Sequence, residues 1–252
     1  MASILLASQG QLTIACGLIF LAAVFDVFDG LAARALGGGT PLGAQLDSLA
    51  DMVTFGVAPG VLAYMFTMVM YPSAFDELYV LPDWNRAGFD RISSISLYER
   101  CLMLIIPLII TTTSGWRLAK FNIDSRQSHG FLGLATPFNA MLWASLGLIV
   151  GNSGFGILGS IPALIHELVI NFFCGWGVVA GAAVCLGVLM LSELPLPSLK
   201  FKHVKWRGNE VIFLLAGIGL VLVLLYGILA VPLILLLYLL SPLWGKLFPK
   251  SA

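Results

Sequence analysis

The stretch Asp26–Asp51 reads DVFDGLAARALGGGTPLGAQLDSLAD and places four carboxylates inside a strongly apolar sequence. Their spacing is D-x2-D-G-x2-A-R-x8-G-x3-D-x3-D. If both halves of the stretch are helical, Asp26 and Asp29 form an i, i+3 pair, and Asp47 and Asp51 form an i, i+4 pair. Each pair then lies on one face of its helix.

The segment ALGGGTP between the two pairs predicts a tight reversal of the chain. Its three glycines allow the turn, Thr40 is a good helix N-cap, and Pro41 suits the first helical turn. The two helices would then present their acidic side chains to each other close to the turn.

Four close carboxylates repel one another and lose hydration, so the cluster predicts cations between them. Oxygen-only ligation favours Mg²⁺ or Mn²⁺ over Zn²⁺, and the stretch contains no His or Cys. We therefore predict a metal site, for one or two divalent ions, made by four residues: Asp26, Asp29, Asp47 and Asp51.

The composition of the chain predicts a membrane protein. Of its 252 residues, 59% are hydrophobic and only 10% are charged, and the mean hydropathy is +0.98. These values exclude an ordinary soluble domain and indicate an all-α bundle of transmembrane helices. We expect membrane lipid, and no nucleic acid, among its partners.

Apolar runs predict about seven spans. The last run, 211–247, would be roughly 55 Å long as one helix, so we expect a hairpin broken near Gly227 and Pro232. Pro107 predicts a kink in the third span. The predicted spans are 10–36, 41–71, 99–120, 135–152, 168–193 and two within 211–247. This divides the chain into a catalytic core at 1–193, a basic loop at 194–209 and a C-terminal helical hairpin at 210–252.

The basic residues predict the orientation. In a seven-span count most of them fall on the side of the aspartate turn. The loop at 72–98, in which four acids outnumber Arg86 and Arg91, and the nearly uncharged loop at 153–167 fall on the other side. Cytoplasmic loops carry the excess of Lys and Arg, so the aspartate turn is predicted to be cytoplasmic. The count leaves Met1 outside, which is awkward when no span or signal precedes it.

The acids at one membrane face favour phosphoryl-type transfer, in which carboxylate-bound metals clamp a diphosphate. Arg34, on the same face as Gly30, would contact a phosphate. Gly30, Ala33 and Gly43 lack bulk, so a nucleotide would approach the backbone closely, although small residues also serve helix packing in lipid. A cation-coupled transporter remains the alternative of a different class, but its acids would spread across the midplane.

The full string of eight fixed positions resembles the signature of the CDP-alcohol phosphotransferase family, with no departure inside it. Four later phrases resemble blocks of the bacterial and archaeal CDP-diacylglycerol–serine O-phosphatidyltransferases. These phrases are MVTFGVAPG, SGWRLAKFN, FLGLATPFNA and LPLPSLKFK. Two positions depart from those blocks: Lys120 stands where arginine is usual, and Ala135 stands where proline is common.

The resemblance implies transfer of a phosphatidyl group from CDP-diacylglycerol to the hydroxyl of L-serine, with CMP leaving. It implies that the first three aspartates bind two Mg²⁺ or Mn²⁺ ions and that Asp51 approaches them and acts as the base. It places Gly30, Ala33, Arg34 and Gly43 on the nucleotide side.

The resemblance also implies a location in the bacterial inner membrane and, commonly, a homodimer, although the sequence shows no interface. Family members have a span ahead of the aspartate-bearing helix, and we expect that span to be missing from this chain.

Two basic residues end the third span on the same side as the acids. Arg117 and Lys120 would hold a substrate phosphate or the serine carboxylate; anchoring at the cytoplasmic face is the competing interpretation. Glycerol 3-phosphate or inositol phosphate is an alternative acceptor to L-serine, and binding its phosphate would require further basic residues beside the site.

Overall fold

The computed structural model describes residues 1–35, 37, 40–69, 96–123, 131–150, 172, 175–196, 210–227 and 230–244. Within these ranges the chain is almost entirely helical, which confirms the predicted class. The helices are α1 Ala2–Ser8, α2 Leu12–Ala35, α3 Pro41–Asp51, α4 Ala58–Val69, α5 Leu97–Met103, α6 Ile105–Ile123, α7 Thr136–Val150, α8 Trp176–Leu191, α9 Glu210–Tyr226 and α10 Ala230–Trp244. A π-helix, Met52–Val57, joins α3 to α4, and two short strands, β1 Phe131–Leu132 and β2 Pro195–Leu196, pair antiparallel.

Three helical stretches are long and apolar enough to cross a membrane: Leu12–Ala33, Pro41–Met68 and Leu97–Ile123. Shorter apolar helices occur at Trp176–Leu191, Gly217–Tyr226 and Ala230–Leu240. The protein is therefore a helical membrane protein, and the count of seven spans stays a prediction. The predicted loops at 72–98, 153–167 and 194–209 lie wholly or mostly outside the described residues.

The outer surface of α2 is apolar. Leu21, Phe25 and Phe28 are 48%, 61% and 61% exposed. A helix in water would turn such side chains towards the core, whereas a helix in lipid needs no polar outer face. The exposed side chains of α2 therefore fit a lipid-facing surface.

The core lies where α2, α4, α6 and α7 meet. Phe66 of α4 stacks on Trp143 of α7, with ring centroids 6.0 Å apart and an interplanar angle of 28°. Trp143 is fully buried, and its Nε1 donates a hydrogen bond of 3.1 Å to Asn139 Oδ1, which satisfies the indole inside the core.

Small residues let α6 approach the π-helix and α4 closely. A Cβ at Gly56 would lie 3.1 Å from Ser114 Cβ, and a Cβ at Gly60 would lie 3.2 Å from Pro107 Cα. Helices in membranes commonly associate through such small residues. This contact fixes the π-helix, and with it the end of α3, against α6.

The helix is interrupted just before Pro107, where a kink was predicted, and the predicted break near Gly227 is confirmed. Pro107 has no N–H, so the carbonyl of Met103, four residues earlier, lacks its helical donor, and α5 ends at Met103. In the apolar run 211–247, α9 ends just before Gly227, whose φ of 56° is a conformation that glycine adopts readily. Pro232 then falls in the first turn of α10, where proline is tolerated.

The sequence predicted no element in the first ten residues, but the structure has α1 there. Ala7 is fully buried, and Ser3 Oγ donates a hydrogen bond of 2.8 Å to the carbonyl of Ala15. The seven residues of α1 rise about 10 Å, much less than a bilayer core of about 30 Å. Helix α1 packs on α2 and α4 and is too short to be a span by itself.

Candidate active site

Helix α3 begins with the predicted capping chemistry. Thr40 Oγ1 accepts a hydrogen bond of 3.1 Å from the Gly43 N–H, and Pro41 occupies the first helical position. Gly37, in the preceding turn, has a φ of 98°, which L side chains rarely adopt. These local features determine where α3 starts and hence where its acidic residues lie.

Three carboxylates from two helices converge. Asp26 lies in the C-terminal half of α2, and Asp47 and Asp51 lie one turn apart on α3. One carboxylate oxygen from each lies within 4.8 Å of the others. Asp26 and Asp51 are partly buried and Asp47 is exposed, so the cluster opens to one side.

Asp29 is not one of these three converging carboxylates. It is exposed, three residues beyond Asp26 on α2, and its charge still interacts electrostatically with Asp26 and with Asp51. The spacing of three residues places Asp29 nearly one turn further along the same helix face. The structure therefore brings three of the four predicted ligands, Asp26, Asp47 and Asp51, into one acidic cluster and leaves Asp29 at the edge of that cluster.

The residues predicted to lie beside the nucleotide occupy the two helix ends that flank the turn. Gly30 and Ala33 belong to α2, and Ala33 is exposed. A Cβ on Gly43 would lie 3.2 Å from Thr40 Oγ1, the atom that caps α3, so the absence of a side chain there also serves the cap. Arg34 is in α2, but its side chain lies outside the described part of the molecule.

The two predicted basic residues differ in their surroundings. Lys120 Nζ forms a partly exposed ion pair of 3.1 Å with Glu193 Oε1, a partner that the sequence analysis did not identify. Arg117 is only 7% exposed, and its Nε and Nη2 atoms have no hydrogen-bond partner among the residues that the structure describes. Close by, Asn122 Nδ2 donates to Ser48 Oγ at 3.0 Å and ties α6 to α3.

The π-helix directly after Asp51 is a feature that sequence reasoning missed. Its i→i+5 hydrogen bonds put an extra residue into the turn, and such segments occur frequently at functional sites. The segment lies between α3, which carries Asp47 and Asp51, and α4. Gly56 inside it was a signal in the sequence, but only the contact with α6 shows what that glycine does.

Comparison with known proteins now identifies the family. A family model described as CDP-alcohol phosphatidyltransferase matches residues 1–169. The chain belongs to this family. The matched part of this CDP-alcohol phosphatidyltransferase contains the acidic cluster and Arg117, so the predicted family and enzyme class are confirmed.

Individual relatives carry more specific names. A CDP-diacylglycerol–serine O-phosphatidyltransferase of Helicobacter pylori is 30% identical over 225 residues, covering 88% of this chain and 76% of that protein. The protein of the same name from Bacillus subtilis is 38% identical over 123 residues, or 49% of this chain and 54% of the relative. An archaetidylserine synthase of Methanothermobacter thermautotrophicus is 32% identical over 145 residues, or 57% and 50% of the two chains.

Proposed function

We propose that this enzyme transfers the phosphatidyl group of CDP-diacylglycerol to the hydroxyl of L-serine, giving phosphatidylserine and CMP. The observation that carries the proposal is the convergence of Asp26, Asp47 and Asp51 within 4.8 Å, inside the part of the chain that matches the family. The names of the relatives support serine as the acceptor.

The donor set fits divalent metal ions. All the donors are carboxylate oxygens, which Mg²⁺ and Mn²⁺ prefer, and three negative charges this close need a compensating cation. We assign two ions to the cluster, with Asp29 at its border as the fourth ligand. When bound, the ions would neutralise the diphosphate of the lipid and the charge that develops on the departing CMP.

The reaction needs one proton acceptor, and we assign that role to Asp51. The serine hydroxyl oxygen forms a bond to the phosphorus that carries diacylglycerol, and the bond from that phosphorus to the CMP oxygen breaks. Asp51 takes the hydroxyl proton. Its position on α3, one turn from Asp47 and in contact range of Asp26, keeps this base beside the diphosphate.

The nucleotide would lie over the turn between α2 and α3. Gly30, Ala33 and Gly43 leave room for it there, and Arg34 would supply a guanidinium for a phosphate. The positive end of the α3 dipole lies at this turn and would favour an anion there. The acyl chains would lie among the apolar helix faces in the bilayer.

The cytoplasmic side of the site, the bacterial inner membrane and the homodimer stay predictions. Of the two cations predicted to hold a substrate phosphate or the serine carboxylate, Lys120 is already paired with Glu193. Arg117 Nε and Nη2 have no partner in the described part of the chain, so Arg117 is the stronger candidate.

The test is CMP release by detergent-solubilised enzyme supplied with CDP-diacylglycerol, Mn²⁺ or Mg²⁺ and one alcohol at a time. Release with L-serine supports the proposal, whereas release only with glycerol 3-phosphate or an inositol phosphate assigns another acceptor. No release with any alcohol, combined with cation-dependent flux in vesicles, would favour the transporter.

One substitution tests the assigned base. Asp51→Asn keeps the shape of the side chain and removes the proton acceptor, so we expect CMP release to disappear. Glu99→Gln makes the same chemical change in the capping box of α5, and this control should retain activity. A folded, active Asp51→Asn enzyme would contradict the role of Asp51.

A further inference from the structure

Helix α3 carries two of the three converging carboxylates, yet it packs little of its surface. None of its 11 residues, all of which the structure describes, is buried. Ser48 and Asp51 are half-buried, and the other residues of the helix are exposed. A helix that buries no side chain gains little from packing, so its direction depends on the few contacts that it makes with its neighbours.

Two contacts join this part of the chain to one face of α6. Directly after α3, the Met52 side chain lies beside Gly115, where an added Cβ would be 3.2 Å from Met52 Cε. One turn earlier, Asn122 Nδ2 donates a hydrogen bond of 3.0 Å to Ser48 Oγ. Gly115 and Asn122 are seven residues apart and therefore lie on the same face of α6. A helix held at one end can pivot there, whereas a second contact about 6 Å away along its axis fixes its direction.

The Ser48 hydroxyl both accepts and donates. Its oxygen accepts from Asn122, and its one proton can go to the Ala44 carbonyl, 3.1 Å away, or to Asn122 Oδ1, 3.3 Å away. Ser48 precedes Asp51 by three residues and shares its face of α3, and Asp47 directly precedes Ser48. The hydrogen bond from Asn122 therefore acts on the part of α3 that carries both of its carboxylates.

The acidic cluster itself opposes this arrangement of the helices when no cation is bound. Asp26 on α2 and Asp47 and Asp51 on α3 have oxygen atoms within 4.8 Å of one another, so their repulsion favours a separation of the two helices. A contact that fixes the direction of α3 keeps the three oxygens together. The apparent affinity for a ligand is proportional to the fraction of molecules in the competent arrangement, so this contact should strengthen cation binding.

We propose that Asn122 and Ser48 are positioning residues, whose hydrogen bond holds α3 where its two carboxylates meet Asp26 and so sets the affinity of the acidic cluster for divalent cations. In this role neither residue touches the cation or a substrate. The inference rests on one part of the proposed function, the binding of a divalent cation by the cluster, and it does not depend on which alcohol is the acceptor.

The experiment measures Mn²⁺ binding by the detergent-solubilised enzyme without substrate, from the loss of the electron paramagnetic resonance signal of free Mn²⁺. Asn122→Ala and Ser48→Ala each remove the hydrogen bond and should each raise the Kd for Mn²⁺ about fivefold. That change corresponds to about 1 kcal/mol, the usual net contribution of one hydrogen bond. The double variant should have the same Kd as either single variant, because all three lose the same bond.

Two further variants complete the design. Ser48→Thr keeps the hydroxyl that accepts from Asn122, so its Kd for Mn²⁺ should stay close to that of the wild type. Ser8→Ala is the matched control, because Ser8 Oγ is also exposed and also donates to a carbonyl of its own helix, that of Leu5 at 2.8 Å. It lies in α1, outside the contact between α3 and α6, and should leave the Kd unchanged.

Activity assays distinguish positioning of α3 from substrate binding. Both alanine variants should need about five times more Mn²⁺ for half-maximal CMP release, with an unchanged KM for L-serine at saturating Mn²⁺. If Asn122→Ala instead has a normal Kd for Mn²⁺ and a raised KM for L-serine, Asn122 binds the substrate and the inference is wrong. Effects on the Kd that add in the double variant would show that the two residues do not act through one bond, and would also overturn it.

The outcomes for this inference and for the proposed function are distinguishable. A wild-type enzyme that shows the expected pattern of Mn²⁺ affinities but releases no CMP with L-serine overturns the proposed acceptor and supports the positioning role. A wild-type enzyme that releases CMP with L-serine, while the variants bind Mn²⁺ as tightly as it does, supports the proposed function and overturns the positioning role.

Discussion

The repulsion inside the acidic cluster predicts that removing one of its charges stabilises the ion-free enzyme. The carboxylate oxygens of Asp26, Asp47 and Asp51 lie within 4.8 Å of one another. At this separation two unit charges repel by about 1 kcal/mol in the dielectric of water and by about 3.5 kcal/mol at an effective dielectric of 20. Asp47 is exposed, so the lower figure applies to each of its two pairs, and the total is about 2 kcal/mol.

Asp47→Asn removes this repulsion and keeps the shape of the side chain. For a chain of this size, about 2 kcal/mol corresponds to a rise in Tm of about 4 to 8 °C in the absence of divalent ions. Saturating Mg²⁺ or Mn²⁺ should reverse the order, because an ion that binds only the folded state stabilises it, and the variant binds ions more weakly.

The assay is thermal unfolding in detergent at pH 8, with EDTA and with Mg²⁺ or Mn²⁺. Glu99→Gln, which removes a carboxylate from the distant N-terminal turn of α5, is the control and should respond to metal as the wild type does. Two results would show that the three carboxylates are not a repelling cluster bridged by cations. One is a Tm in EDTA that is lower for Asp47→Asn than for the wild type, and the other is a wild-type Tm that does not change when divalent ions are added.

Two further predictions concern the helices that present the site. Thr40→Ala removes the oxygen that caps α3, so we expect the free energy of unfolding to fall by about 1 kcal/mol and CMP release to weaken. Thr40→Ser keeps that oxygen and should retain the stability and the activity. Identical melting temperatures of the two variants would contradict the cap. Gly56→Val pushes a side chain into Ser114 and should cost about 1 to 3 kcal/mol, measured by thermal unfolding. Gly17→Val is the control, because an added Cβ there would meet no atom within 4 Å beyond the adjoining backbone of its own helix, in the described part of the chain. Equal losses at the two positions would refute the close contact.

Features with a local chemical cause were predictable from the sequence. The cap of α3 at Thr40 follows from the side-chain oxygen that this position needs. The break before Pro107 follows from its missing N–H, and the break at Gly227 follows from the excessive length of the apolar run. The membrane class follows from composition, and the comparison with known proteins confirms the family that the signature predicted.

Features that depend on other helices were not predictable. The sequence placed Arg117 and Lys120 together at the end of a span. Among the described residues, the buried Nε and Nη2 atoms of Arg117 have no hydrogen-bond partner, whereas Lys120 is paired near the surface. Glu193, which pairs with Lys120, and Tyr238, which interacts electrostatically with Arg117, both lie far along the chain. The local sequence around a helix does not predict which distant part of the chain packs against a given face of that helix.

The sequence by itself determined the acidic residues, their type and their helix faces, because the spacing of side chains along a helix fixes which of them lie on the same face. Only the tertiary structure decided that Asp26, Asp47 and Asp51 converge while Asp29 stays at the border. The distance between side chains on two helices depends on how far each helix is rotated and how closely it packs. In this protein the π-helix and Gly56 hold the end of α3 against α6, while Asp26 is carried by α2.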